Sequence, residues 1–416
     1  MRLFPVLTPL IGLSLLLGAC GKDEKTPGTL TEKTYFGMTE LEVTYDGSGM
    51  SGKRAVLKPG ANATASITFD GAFDLSTLSD KLKGMPAIST AGVLPGSPQL
   101  ALDVSLKAGD GNWTFAGKGE TDYATYSYTG TVTPDLMTFN LADVRLKNQT
   151  LAGGVWAPEK GDGNVLSSDQ VFHIVWELGK PIQIPGLDIG LQELLRALVN
   201  YPFIPVYHDT ASMSLAQVLL NGLRTLAFTS DGNLVATYLQ TANGASTFTQ
   251  APLTMMQYVA LSDSKLLLFV NPTDILSLVL LNNTNRDPNI PENPWTAPAR
   301  TQGDTSSVPT LDVATIIASL NQAAKLVAAG IPMDCPHTAT NMELYIGTET
   351  LLPLMQNVLL PMLNDPQVQQ MILEYVKNNP TLAANADKIQ LALSMIELVI
   401  EQTTKIEFGI NLTASK

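Results

Sequence analysis

Apolar and polar residues alternate along the first half of the chain, from Thr34 to about Leu178. Leu41-Glu42-Val43-Thr44-Tyr45 shows the pattern, and it recurs over 100–106, 123–129 and 171–176. An alternation of period two, rich in β-branched and aromatic residues, is typical of strands with one buried face. The first half is therefore predicted to form curved, antiparallel β-sheets.

The spacing of apolar residues becomes helical after Pro181. Asp188–Asn200 and Ser214–Leu223 carry apolar residues three and four positions apart, and Ser212 or Ser214 is placed to cap the second helix. Strand-like runs follow, and the last hundred residues are mostly helical. Strands are predicted at 225–228, 234–239, 255–261, 265–270 and 405–413, and the later helices at 311–329, 349–363, 365–378 and 386–403.

The predicted helix around Leu351–Leu363 is apolar on nearly all sides. Such a helix is expected to be buried on more than one side. It is too short, and too interrupted by Pro353 and Pro361, to span a bilayer. The sequence thus predicts an α+β protein with curved antiparallel sheets in the first half. Long apolar helices are expected to pack on or within sheets in the second half.

Glycine-containing turns separate several of the strands. Asp110-Gly111-Asn112 and Asp231-Gly232-Asn233 lie between strand-like runs and predict hairpins, because glycine accepts a positive φ. Gly47–Gly52 fits the G-x-G-x-x-G pattern of dinucleotide-binding loops. That pattern must open a helix, whereas Lys53–Pro59 reads as a strand, so a glycine-rich hairpin is expected. No motif predicts a cofactor.

The N-terminal apolar run, Phe4–Leu17, ends in Leu17-Gly18-Ala19-Cys20. Arg2 precedes an apolar stretch too short for a bilayer-spanning helix, and small residues precede the cysteine. This is a lipobox, and it resembles the signal peptides of bacterial lipoproteins. The resemblance implies that residues 1–19 are removed and that Cys20 carries the lipid, including palmitate.

Gly21-Lys22-Asp23-Glu24 follows the lipobox directly. Lys22, Asp23 and Glu24 resemble the export signal that sends Bacteroidetes lipoproteins to the outer face of the outer membrane; the alternative is an ordinary solvated tether. The resemblance implies an outer-membrane protein, anchored by lipid and facing the exterior. Residues 20–33 are expected to form a flexible tether, 34–180 a β-rich domain, and 181–416 a mixed α+β domain with a proline-rich loop at 284–310.

The acidity of the chain limits its partners. Its formal net charge is −13, and loss of Arg2 with the signal peptide would make it −14. Phosphate binding needs a basic stripe, so nucleic acid is excluded as a partner. Electrostatic docking on anionic lipid is disfavoured for the same reason. The lipid on Cys20 is therefore the expected link to the membrane, and nothing in the pattern assigns an oligomeric state.

Few residues suggest catalysis, metal binding or ligand binding. Cys335-Pro336-His337 would suit a metal or thiol site, but a small residue in a loop after a helix is the favoured interpretation, because only His173 and His208 remain as further imidazoles. Trp176 is expected in the core. Trp113, Trp156 and Trp295 are expected at turns or loops, where they would either stack on sugar rings or cap a core. No catalytic or metal-binding set is predicted, and the protein is expected not to be an enzyme.

Length, lipobox, β-rich first half and Leu/Met-rich terminal helices together resemble a family of uncharacterised Bacteroidetes outer-membrane lipoproteins. Apolar helices that lead into strands resemble the tubular lipid-binding fold of bactericidal/permeability-increasing proteins. The first functional hypothesis is thus a non-enzymatic surface lipoprotein that binds an apolar or amphipathic ligand. The alternative is a glycan-binding accessory lipoprotein of a polysaccharide-uptake system. The expected ligand-lining residues under the first hypothesis are Leu354, Met355, Val358, Met395 and Leu398.

Overall fold

The structure is a computed structural model that describes most of the chain. The described residues are 27–74, 87–159, 168–180, 191–200, 204–205, 212–242, 245–274, 325–378, 383 and 386–415. They form mainly antiparallel and mixed β-sheets, and the sheets of the first half agree with the alternation of apolar and polar residues there. Residues 1–26, which hold the predicted lipid attachment site and export signal, lie outside the described residues.

Strands dominate the first half. They are β1 Lys33–Phe36, β2 Leu41–Tyr45, β3 Ser48–Met50, β4 Lys53–Pro59, β5 Thr64–Phe73, β6 Ile88–Thr90, β7 Gln99–Ser105, β8 Lys107–Ala108, β9 Trp113–Glu120, β10 Ala124–Val132, β11 Met137–Leu146 and β12 Val155–Pro158. The predicted Asp-Gly-Asn turn at 110–112 joins β8 to β9, and the turn at 231–233 joins two later strands, β16 Leu223–Phe228 and β17 Leu234–Ala242. Gly111 and Gly232 take positive φ there, as the hairpin interpretation requires.

The second half mixes helices and strands. They are α1 Ser168–Val171, β13 Phe172–Leu178, α2 Leu191–Asn200, β14 Ile204–Pro205, β15 Ser212–Met213, α3 Leu215–Gly222, β16 Leu223–Phe228, β17 Leu234–Ala242, β18 Ala245–Gln250, β19 Met256–Ala260, β20 Lys265–Val270, β21 Ile331–Asp334, β22 Asn341–Ile346, α4 Thr348–Leu354, α5 Leu360–Leu363, α6 Pro366–Asn378, α7 Ala386–Gln402 and β23 Thr403–Ala414. A π-helical turn, Met355–Leu359, joins α4 to α5. Ser214 caps α3 through a reciprocal pair of hydrogen bonds with Gln217.

Three larger sheets result. A five-stranded sheet has the order β1-β4-β5-β6, with β7 also paired to β5. A six-stranded sheet has the order β3-β2-β11-β10-β9-β8. The third has ten strands in the order β18-β17-β16-β12-β23-β22-β21-β20-β19, and β13 pairs with the earlier part of β23. β14 and β15 form a small separate pair.

The sequence-based description needs two corrections in these sheets. β2 and β11 pair in parallel, not antiparallel, because they come from distant segments and no hairpin sets their direction. β12 and β13 belong to the predicted first domain, yet β12 pairs with β16 and both strands pair with β23. The ten-stranded sheet therefore crosses the predicted boundary at residue 180.

One apolar core joins the three sheets. The rings of Phe69 on β5 and Phe139 on β11 stack with centroids 4.0 Å apart, which brings the five- and six-stranded sheets face to face. The same core takes in Phe228 and Tyr258 from the ten-stranded sheet. A smaller core packs β13 against α2 and α3. The large core lies under the six-stranded sheet and leaves the opposite face of that sheet open.

The helical segment 348–363 differs from its prediction. None of its residues is buried, although the sequence suggested burial on more than one side. Pro353 lies inside α4, and the π-helical turn shifts the side-chain positions that follow. An apolar side chain is buried only where another element covers it, and each side chain of this segment keeps part of its surface uncovered.

Candidate functional site

An open groove crosses the outer face of the six-stranded sheet, with a volume of about 520 Å³. We call it the threonine groove. It is lined by Glu42, Thr44, Ser105, Lys107, Thr114, Phe115, Ala116, Thr129, Gly130, Thr131, Thr138, Phe139 and Asn140. Because successive residues of a strand face opposite sides, the polar residues at alternate positions turn outward while Phe115 and Phe139 face the core. Half-buried strands thus present a polar outer surface here.

Strand register aligns the polar side chains of the threonine groove into two rows. The first row runs across five strands: Glu42, Thr138, Thr131, Thr114 and Lys107. The second row runs beside it: Thr44, Asn140, Thr129 and Ala116. Directly paired residues share a face of a sheet, so each row is a continuous line of side chains.

Hydrogen bonds between neighbouring strands hold these side chains in place. The hydroxyl oxygens of Thr131 and Thr138 lie 2.8 Å apart. The Thr44 hydroxyl donates to Asn140 Oδ1 over 2.6 Å. A hydroxyl has one hydrogen and two lone pairs, so each threonine can still form a further hydrogen bond with a ligand. The groove therefore offers donors and acceptors at fixed spacing.

A second polar cluster lies on the ten-stranded sheet. His173 Nε2 lies 2.8 Å from Glu407 Oε2, and His173 Nδ1 lies 3.5 Å from Glu343 Oε2. Lys405 Nζ lies 3.1 Å from Glu407 Oε1. Burial would raise the pKa of Glu407, but its hydrogen bonds with His173 and Lys405 outweigh burial and lower that pKa. The cluster links β13, β23 and β22, and its charged groups are paired with one another.

Lys53 on β4 carries a buried amine. Its Nζ donates to the carbonyl oxygens of Ala91 at 2.9 Å and Gly92 at 3.0 Å. Burial lowers the pKa of Lys53 to about 8, although the charges of Asp274 and Asp70 oppose the shift. The side chain is 5% exposed, so it is enclosed by protein and ties β4 to the 91–92 segment.

The residues expected to line an apolar cavity lie in the helical segments near the C-terminus, and their role as ligand-lining residues stays a prediction. Leu354, Met355, Val358 and Met395 are half-buried, and Leu398 is 44% exposed. The threonine groove is lined by none of them. They lie on α4, the π-helical turn and α7, where their apolar side chains are partly open to solvent.

The tryptophans that the structure describes are buried or half-buried. Trp156 is only 7% exposed and lies in β12, because that short segment is a strand with its tryptophan turned inward. Trp113 is half-buried and donates through Nε1 to the Gly28 carbonyl at 3.0 Å. Trp176, expected in the core, is half-buried and donates to the Thr403 hydroxyl at 3.0 Å. Trp295 lies outside the described residues.

Cys335 follows β21 and is fully buried. Burial raises the pKa of its thiol to about 12, so the thiol stays protonated and unreactive at neutral pH. His337 Nδ1 lies 3.1 Å from the Cys335 carbonyl oxygen. Within the described ranges no three His, Cys, Asp or Glu side chains converge to hold a metal ion. Cys335 and His337 thus lie at the end of β21 and in the loop after it. The element before this loop is a strand, whereas the sequence predicted a helix.

The other site predictions fall on residues 1–26. Cys20, Lys22, Asp23 and Glu24 lie outside the described part of the chain, and their roles stay predictions. In the part that the structure describes, no helix combines the length and hydropathy that crossing a bilayer requires.

Comparisons with protein-family models, with curated proteins and with solved structures find no match to this chain. Sequence reasoning missed the threonine groove entirely. The available signal was the alternation that turns Thr129 and Thr131, and Thr138 and Asn140, to one side of neighbouring strands.

Proposed function

We propose that this protein binds a neutral, hydroxyl-rich ligand, a glycan, in the threonine groove and does not transform it. The observation that carries the proposal is the pair of in-register rows of threonine and asparagine side chains. Sugars present hydroxyl groups that both donate and accept, as these side chains do. The groove is open, which suits a chain that enters from the side.

A binding role agrees with how the groove hydroxyls are bonded. Thr131 and Thr138 bond to each other, and Thr44 bonds to Asn140. A nucleophilic hydroxyl is activated by a hydrogen bond to a general base, whereas the hydrogen bonds found here join these hydroxyls to neutral groups. We further propose that the domain works as a lipid-anchored, outward-facing outer-membrane lipoprotein, on the strength of the lipobox ending at Cys20.

The test is retention on immobilised neutral polysaccharides, measured by affinity electrophoresis. The variant Thr131→Val/Thr138→Val keeps the shape of both side chains and removes both hydroxyls, so it should weaken retention about tenfold. Thr68→Val on β5 is the matched control, because Thr68 is a half-buried strand residue of the other sheet. Equal retention of the two variants, or no retention of the parent, would contradict the proposal.

A second candidate function rests on the helices. We propose that long apolar helices pack on the sheets of the second half and bind an apolar or amphipathic ligand. The supporting observation is the partly exposed apolar surface of α4, the π-helical turn and α7, which includes Leu354, Val358 and Leu398. Exposed apolar side chains gain about 25 cal/mol per Å² when a ligand covers them.

Native mass spectrometry after mild extraction tests this second candidate. A co-purified lipid that is lost in Leu398→Gln would support it. Glu397→Gln, on the neighbouring exposed position of α7, is the control and should keep the lipid. Parent protein free of any apolar ligand would contradict it.

A further inference from the structure

We infer that the ligand of the threonine groove is a linear chain that lies across the strands, from Glu42 to Lys107, in a single direction. The inference rests on the proposed glycan-binding function and names the length and orientation of the ligand. Three features of the first row carry it: its continuity, its length and the difference between its two ends.

The row is continuous over five strands. Glu42 on β2 pairs with Thr138 on β11, which pairs with Thr131 on β10. Thr131 pairs with Thr114 on β9, and Thr114 pairs with Lys107 on β8. Neighbouring strands are spaced by about 4.8 Å, so four intervals give a row of about 19 Å. A single sugar ring is shorter than two of these intervals and would use only part of the row.

The groove is much shorter in the other direction. The second row, with Thr44, Asn140 and Thr129, lies two residues away along each strand, which is about 7 Å. It ends at Ala116, which has no polar side-chain atom. The long axis of the groove therefore runs across the strands, and an extended ligand inside the groove gains most contacts in that orientation.

The two ends of the row differ in chemistry. The Glu42 carboxylate only accepts hydrogen bonds, whereas the Lys107 ammonium only donates them. Within the described ranges neither side chain forms an ion pair, so both charged groups face solvent and a bound ligand. An oligosaccharide also has two different ends. A chain that reaches both Glu42 and Lys107 therefore has one preferred direction.

The experiment is isothermal titration calorimetry with size-graded, linear, neutral gluco-, manno- and galacto-oligosaccharides, from the monosaccharide upward. Affinity should rise with length until the chain spans the row, and then stay constant. Glu42→Gln and Lys107→Met should each lower the affinity of the spanning chains roughly tenfold, the typical effect of losing a charge-assisted hydrogen bond. Chains too short to span should respond to one of the two variants only.

Lys58→Met is the matched control, since Lys58 is an exposed strand lysine of the five-stranded sheet. It should bind every chain as the parent does. Saturable binding that is independent of chain length, or unaffected by both end variants, would overturn the inference and leave the proposed function standing. No binding of any chain would remove the proposed function and this inference together.

Discussion

The imidazole ring of His173 stacks on the phenol ring of Tyr345, with ring centroids 4.1 Å apart and planes inclined by 12°. The two residues lie on β13 and β22, and the strand between them contributes Gly409, which pairs with both. A Cβ atom at position 409 would collide with Tyr345 and with the Leu344 carbonyl oxygen. The ring stack therefore exists because the intervening strand has no side chain at that position.

Replacing Gly409 by alanine should separate β22 from β23. We expect Gly409→Ala to lower the free energy of unfolding by about 1–3 kcal/mol, the usual range for overpacking. Urea denaturation measures it. Gly49→Ala on β3 is the control, because a Cβ there meets nothing within 4 Å. Equal stability of the two variants would show that β23 shifts freely, against the close pairing described.

Stability should depend on the ionisation of Glu407. Its pKa is lowered in the fold, where hydrogen bonds from His173 and Lys405 outweigh burial, so the unfolded chain binds a proton at a higher pH than the folded one. The contribution is present above the ordinary glutamate pKa and is lost as pH falls through the lowered value. Denaturation curves from neutral pH to about pH 3 should show the parent and Glu407→Gln converging in acid. A constant difference would contradict this.

Lys53 should give a pH dependence of the same sign, in an alkaline range. Its pKa falls to about 8 in the fold, whereas an unfolded lysine titrates near 10.4. Between these values the unfolded chain binds more protons, so the free energy of unfolding should rise with pH. Lys53→Met should remove this rise, and the exposed Lys58→Met should keep it. Parallel curves for the parent and both variants would argue against a buried, charged amine.

The predicted tether is tested separately. Cys20→Ser should abolish acylation and release the protein from the membrane, because acyl chains contribute about 0.8 kcal/mol per buried CH₂ and the chain is acidic. Replacing Lys22, Asp23 and Glu24 by alanine should keep the lipid but leave the protein on the periplasmic face. Protease shaving of intact cells measures this. If the triple variant is cleaved as readily as the parent, residues 21–24 are only a spacer and the export-signal prediction is wrong.

Local patterns predicted local structure well. The alternation in Leu41–Tyr45 and the serine before Leu215 each act over a few residues, and the observed strand β2 and the Ser214 cap agree with them. The structure of short segments was harder to predict from the sequence. Trp156 was expected in a loop because a four-residue strand offers too few positions to establish a period. The strands β18, β21 and β22 were missed, since turns and helices border them closely.

The threonine groove could not be predicted from local sequence patterns. Thr44 and Asn140 are 96 positions apart in sequence and lie on neighbouring strands, paired in parallel. Alternation states which residues share a face of one strand, but strand order decides which faces become one surface. For the helices, the local pattern predicted the element but not its burial. The apolar residues around Leu354 identified a helix correctly, yet their number did not reveal how much of that helix would be covered.

β23 pairs with β12 and β13 along one edge and with β22 along the other. Leu178 meets Thr403 in this arrangement, so a ribosome must add more than two hundred residues before β13 receives its partner. Contacts so distant in sequence slow folding, since a long loop must close before they form. A nascent chain stopped short of Thr403 would hold β12, β13 and β22 with open backbone edges. The large sheet therefore cannot be completed before β23 has been synthesised, and until then its unpaired strand edges are open to pairing with other chains.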